Sequence, residues 1–330
     1  MSIKRLTTFR SLVVLGGIAL ATPIMSHADI VFDDVFTGGS TVDTAATAPT
    51  ANSTSYEWFS GIAGGTATAP GGSLGLSLPS TTSVVGEVQA MFSTSYVTLQ
   101  SVGDTISIQV VFNDTANVML TGNASSSLAI GLFNSGGVAP NTGVVALNAG
   151  NTTGGSQNWK GFASIVLESS GSNRIITRGP QGANGTTSQN QDLLFNGASG
   201  SQTFNNPVGA QVVAKSDTAA PVALTAGNLY TNYMQITMTA PGVMSVSNQV
   251  SGASGILFNS IGSANLGTLN FATNSFDSFA IGWRESVGAA TASTMTIDEI
   301  TVAKIIPEPT TFALAGLGIL GLVMGRRSRG

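Results

Sequence analysis

Met234-Gln-Ile-Thr-Met-Thr239 sets an apolar side chain against an amide or hydroxyl at every step. Successive residues of a strand point to opposite faces, so a period of two buries one face of a sheet and leaves the other polar. Met295-Thr-Ile-Asp298 repeats the pattern, and Ile106-Ser-Ile-Gln-Val-Val-Phe112 begins with it before turning wholly apolar. Leu128-Ala-Ile-Gly-Leu-Phe133, Phe162-Ala-Ser-Ile-Val-Leu167 and Phe279-Ala-Ile-Gly-Trp283 are short apolar runs of the kind found inside a sandwich. The clusters Asn134-Ser-Gly-Gly137, Asn148-Ala-Gly-Asn151, Gly182-Ala-Asn-Gly185 and Gly197-Ala-Ser-Gly200 supply the turns. No segment between 29 and 305 sustains a 3.6-residue apolar period flanked by caps. The fold class is therefore all-β, a sandwich or barrel in one domain spanning 29–305, with the polar stretch 180–222 as an irregular excursion.

Both ends stand apart from that domain. Lys4, Arg5 and Arg10 precede an apolar run from Leu12 to Ile24, which closes on Ser26-His27-Ala28. A positive head, about 13 apolar residues and a small-x-Ala exit predict a signal peptide over 1–28. Signal peptidase is then a partner, cutting between Ala28 and Asp29. The run is shorter than the roughly 20 residues a membrane span needs.

Between 29 and 306, six Lys or Arg face fifteen Asp or Glu, a formal charge of −9 against −4 for the whole chain. An acidic domain without a basic cluster excludes nucleic acid and anionic lipid as partners. Cysteine is absent, so no disulfide framework is available, and about 280 residues bury a large enough core without one.

The other end reads Pro307-Glu308-Pro309, then an apolar stretch from Phe312 to Met324, then Arg326, Arg327 and Arg329. The prolines hold the motif extended and accessible to a protease. As a helix the apolar stretch rises about 20 Å, so its flanks must snorkel or the bilayer must thin. The arginines stay cytoplasmic and halt translocation. This order resembles the PEP-CTERM sorting signals, here over 306–330. The resemblance implies an exosortase-type processing enzyme as a partner, with Pro307, Glu308 and Pro309 as its recognition residues. It implies a chain exported and tethered to the membrane by its C-terminal helix, then placed at the cell surface or in the matrix of a Gram-negative-type bacterium.

Asp33-Asp34-Val-Phe36, Gly103-Asp104-Thr-Ile-Ser-Ile108, Ala129-Ile-Gly-Leu-Phe133 and Thr296-Ile-Asp298-Glu-Ile-Thr-Val302 are similar to concanavalin A-like, laminin G-type domains. That resemblance implies a jelly roll of two antiparallel sheets with its first and last strands close together. It also implies a structural calcium ion bridging those strands, held by Asp33 or Asp34 with Asp298.

The only histidine, His27, lies in the signal segment. A mature domain without His or Cys has no Ser–His–Asp or Cys–His site and no imidazole or thiolate zinc site. Catalysis by paired carboxylates, as in a jelly-roll glycosidase or lyase, is the alternative function. The acids are scattered, however, and the adjacent pairs Asp33-Asp34 and Asp298-Glu299 point to opposite faces of their strands. The reading is a non-enzymatic matrix or envelope component that contacts polysaccharide or other matrix proteins. Trp159, Tyr56 and Trp58 are the candidate glycan contacts, and Trp159, in Ser156-Gln-Asn-Trp-Lys160, is expected to be exposed.

Overall fold

The computed structural model describes residues 26–38, 40–42, 55–60, 65–80, 84–116, 127–140, 145–146, 156, 159–167, 173–178, 193–194, 212–216, 224–285 and 292–307. The expected signal segment up to residue 25, and Glu308, Pro309 and the apolar tail with Arg326, Arg327 and Arg329, lie outside them. Among the described residues no helix is long and apolar enough to cross a membrane. His27–Ile306 forms one compact unit.

In chain order the strands are β1 (Ser26–Asp34), β2 (Thr41–Val42), β3 (Ser55–Ser60), β4 (Thr66–Thr68), β5 (Leu74–Leu78) and β6 (Val84–Met91). Next come β7 (Val97–Thr98), β8 (Thr105–Ala116), β9 (Ser127–Asn134), β10 (Val145–Ala146), β11 (Lys160–Leu167), β12 (Asn173–Arg178) and β13 (Val212–Ser216). The last are β14 (Leu229–Ala240), β15 (Val243–Gly252), β16 (Gly255–Asn265), β17 (Ser275–Phe276), β18 (Ser278–Glu285) and β19 (Ser293–Pro307). The first sheet runs β16-β15-β14-β8-β19-β5-β4, with β1 also paired to β19. The second runs β10-β3-β6-β18-β9-β11-β12-β13, with β2 beside β3, and β17 and β7 make a small ribbon. The chain passes repeatedly from one sheet to the other and its first strand meets its last. This is the jelly-roll sandwich expected from the sequence.

The alternation seen in the sequence becomes the core. Ile106, Ile108, Val110 and Phe112 of β8 and Met234, Ile236 and Met238 of β14 face inward from the first sheet. Leu128, Ile130 and Leu132 of β9 and Phe279, Ile281 and Trp283 of β18 meet them from the second. Each buried aliphatic or aromatic side chain contributes roughly 1.5–3 kcal/mol of transfer free energy. Trp58 and Trp283 pack at 6.1 Å between ring centroids. Gly86 makes room for that pair, because a methyl group there would lie 2.8 Å from Leu78 Cδ2 and overlap the Trp58 ring.

β19 shows how a local irregularity serves the core. Ile297 pairs with Phe112 and Glu299 with Val111, so Asp298 is the extra residue of a β-bulge. The bulge shifts the inward face by one residue. Met295 and Ile297 are buried before it, and Ile300 and Val302 after it.

Part of the second sheet's far face is apolar as well. Ala129, Phe133, Trp159, Ala163, Ile165, Ile176 and Ala280 form a separate buried cluster there with Leu193 and Leu194. The apolar run of β9 is thus explained: Leu128, Ile130 and Leu132 face the main core, and Ala129 and Phe133 face the second one.

Candidate functional site

Asp34, at the end of β1, is completely buried and acts as an internal acceptor. Its Oδ1 accepts the Phe36 backbone N–H at 2.7 Å. Its Oδ2 accepts the hydroxyls of Ser40 at 2.6 Å and Tyr56 at 2.7 Å. The first of these bonds holds Phe36 in the left-handed region, at φ 55°, where a non-glycine residue needs such support. The turn directs the Phe36 ring into the core, 5.6 Å from Tyr56. Burial and the neighbouring Asp34 raise the Tyr56 phenol well above its ordinary pKa, so it stays protonated and donating.

These residues do not fit the calcium ion implied by the resemblance. Three donors occupy the Asp34 carboxylate, whereas calcium needs six to eight oxygens. Asp33 accepts from Thr301 Oγ1 at 3.3 Å, and Asp298 is half-buried in its bulge, where desolvation raises its carboxyl. Among the described residues no three acidic side chains gather in a way that could hold a metal.

The aromatic candidates are also placed otherwise than expected. Tyr56, Trp58 and Trp159 are all buried, so none offers a ring face to a sugar. Trp159 corrects the reading most sharply. Its polar neighbours suggested exposure, yet its ring packs 6.3 Å from Phe133, and its Nε1 donates to the Val138 carbonyl at 2.7 Å. Both polar and apolar needs of the indole are met inside the second cluster.

The sequence reasoning missed a constellation on the far face of the second sheet. Tyr56 and Trp58 point into the main core, so Glu57 between them points out, as do Glu87 and Gln89 on either side of Val88. Glu57 pairs with Gln89 across β3 and β6, which makes Glu57 and Glu87 diagonal neighbours. Both carboxylates are completely buried. Glu57 Oε1 accepts from Ser55 Oγ at 2.9 Å, and Gln89 donates to Glu87. Glu87 also accepts the backbone N–H groups of Leu193 and Leu194, each at 3.0 Å and one on each oxygen. The buried Arg178 donates through Nε to the Leu193 carbonyl at 2.6 Å. Leu193 and Leu194 are therefore fastened as a strap against this face by the Glu87 carboxyl at their amides and the Arg178 guanidinium at the Leu193 carbonyl.

At one end of the same sheet, Asp277 is bound by Ser135 through its backbone N–H at 2.8 Å and its hydroxyl at 2.6 Å, and by Ser278 Oγ at 3.0 Å. Burial raises its carboxyl above the ordinary value although these bonds oppose the shift. Arg284, on β18, is buried and its guanidinium lowered by desolvation.

The C-terminal strand ends on Pro307, the first residue of Pro307-Glu308-Pro309. Residues 306–329 match the PEP-CTERM protein-sorting motif. The sorting motif marks the chain as exported and membrane-associated, addressed to the cell surface, with exosortase as its processing enzyme. No curated protein sequence matches the chain. Among solved structures it is similar to arcelin-5, a lectin-like defense protein from Phaseolus vulgaris, at 10% identity and TM-score 0.40, over 84% of this chain and 98% of that one. It is similar to the endo-1,3-beta-glucanase of Streptomyces sioyaensis at 12% identity and TM-score 0.40, over 84% and 96%. Peanut lectin follows at 13% identity and TM-score 0.35, over 76% and 92%. A jelly-roll sandwich does not by itself fix an activity, so function rests on the site.

Proposed function

We propose that this chain is a non-enzymatic component of the envelope or exopolysaccharide matrix of a Gram-negative-type bacterium, a structural or glycan-contacting sandwich delivered by its sorting motif. The observation that carries this reading is the sorting motif following directly on the last strand of the sandwich. The strapped face supports the non-enzymatic part. A glycosidase needs two carboxyls, about 5–9 Å apart, flanking an open position for the sugar. Glu57 and Glu87 are diagonal neighbours, but both are buried, and both Glu87 oxygens hold the strap. A carbohydrate-active enzyme that used this pair would require Leu193 and Leu194 to leave it.

Intact-mass spectrometry tests the reading on the full chain expressed in an exosortase-bearing host. The surface and medium forms are expected to begin at Asp29 and to lack the segment beyond the Pro307-Glu308-Pro309 motif. Glu308→Ala is expected to leave the tail on and the protein in the membrane fraction. An unprocessed wild-type mass in every fraction overturns it.

A further inference from the structure

From Thr218 to Phe276 the sequence contains no Asp, Glu, Lys, Arg or His. That stretch includes β14, β15 and β16, which form one flank of the first sheet beside β8. Their inward residues are mostly apolar, with Asn232, Asn248 and Ser260 buried among them. Their outward residues are mainly amides and hydroxyls with one phenol, Tyr233, and the exposed aliphatics Leu229, Ile256 and Ile261 lie on the same strands. The register lines the outward residues into rows. Gln109, Tyr233, Gln249 and Asn259 lie opposite one another across four strands. The next row along is Ser107, Gln235, Ser247 and Ile261. At about 4.8 Å between strands, four residues span about 14 Å.

Tyr233, Gln109, Gln235 and Gln249 are partly exposed, and Asn259 is exposed. Among the described residues none of their side chains is engaged in a hydrogen bond. This contrasts with the margin of the same sheet at β19, where Thr301 Oγ1 donates to Glu299 at 2.8 Å and to Asp33. The two rows therefore present carboxamides without hydrogen-bond partners around one aromatic ring, with acids at the border of the flank.

We propose that this face binds an uncharged polysaccharide, with Tyr233 stacking on a sugar ring and Gln109, Gln235, Gln249 and Asn259 bonding its hydroxyls. The inference rests on the glycan-contacting reading above and gives it a place and a ligand class. A carboxamide both donates and accepts, as a sugar hydroxyl does, so the two are complementary without charge. A tyrosine presents an apolar ring face with a polar tip. A polyanionic glycan calls for Lys or Arg, and this flank has none. A protein partner calls for desolvated apolar anchors, and Ile261, 68% exposed, is the one large aliphatic in these two rows.

The test is affinity electrophoresis of the full chain through gels containing a soluble β-1,4-glucan, β-1,3-glucan or α-1,4-glucan, with polygalacturonate as the charged comparison. Retardation by a neutral glucan is expected and should not change between about 0.05 and 0.5 M NaCl, because no charge takes part. Tyr233→Ala, and separately the Gln235→Ala, Gln249→Ala pair, should weaken binding about tenfold, the order of one aromatic contact. Tyr233→Phe should keep most of it, and all variants should keep the wild-type melting temperature within a few degrees. Unchanged binding in these variants overturns the assignment of this face while leaving the glycan-contacting reading intact. Salt-sensitive binding to polygalacturonate alone overturns the ligand class. A self-association that Tyr233→Ala abolishes assigns the face to a second copy instead. No retardation by any neutral glucan overturns both the face and the glycan-contacting reading, and the mass-spectrometric test of processing stands apart from either result.

Discussion

Replacing Glu87 by alanine removes the acceptor of two buried backbone N–H groups, those of Leu193 and Leu194, at 3.0 Å each. Leaving a buried donor unsatisfied costs about 1–3 kcal/mol, so the pair sets an expected loss of roughly 2–6 kcal/mol. For a domain of this size about 2–4 °C of melting temperature accompanies each kcal/mol, a drop on the order of 10 °C. Glu87→Gln keeps the volume and one acceptor but turns an NH₂ group toward one of the two amides, so about half that loss is expected. Thermal and urea unfolding measure the total, and hydrogen exchange at the Leu193 and Leu194 amides shows where it arises. Local release of the strap should lower the protection of those two amides more than that of the β8 and β14 ladder. A Glu87→Ala protein that melts within 2 °C (roughly) of wild type, with both amides still protected, refutes the fastening role.

Tyr56→Phe deletes a 2.7 Å buried bond to the Asp34 carboxylate and should destabilise by about 1.5–3 kcal/mol in urea titration. Calcium added to that variant or to wild type should leave the unfolding midpoint where it is, since the Asp34 oxygens already have protein donors. Asp277 gives a pH signature. Its carboxyl is raised by burial, so the folded state holds the proton more tightly than the unfolded chain. The stability it contributes is therefore greatest when protonated, and it falls as pH rises from the ordinary carboxyl value through the raised one. Asp277→Asn still offers an oxygen to the Ser135 amide, and melting curves from about pH 3.5 to 6 should show a shallower fall in that variant.

The sandwich was legible because its signals are local. The alternation of Met234–Thr239 and the apolar run at Leu128–Phe133 each identify a strand within a few residues, and both lie in strands of the structure. The sorting motif is local too. The carboxylates were not legible, because Glu57 and Glu87 meet only after β4 and β5 have crossed to the other sheet and β6 has returned beside β3. On paper an acid between Tyr56 and Trp58 reads as the wet face of a strand. The face is dry because Leu193 and Leu194, from a stretch with no strand pattern, lie against it. Trp159 was misjudged for the same reason, since its burial comes from β9 and from the Val138 carbonyl rather than from its polar neighbours in sequence. Asp298 looked like a ligand beside the first strand until the bulge in β19 gave it a geometric role.

The place of β19 inside the first sheet, between β8 and β5, bears on how an exported chain reaches its final form. A polypeptide that crosses a membrane from its N-terminus delivers β5 and β8 early and β19 last. Until then those two strands have no neighbour between them, and the hydrogen-bonding edges that will receive β19 stay open. Closure of the sandwich thus waits for the residues that immediately precede the sorting motif. In a chain that crosses in that direction, maturation would be tied to complete passage, and a molecule stalled in transit would remain a set of open edges rather than a finished domain.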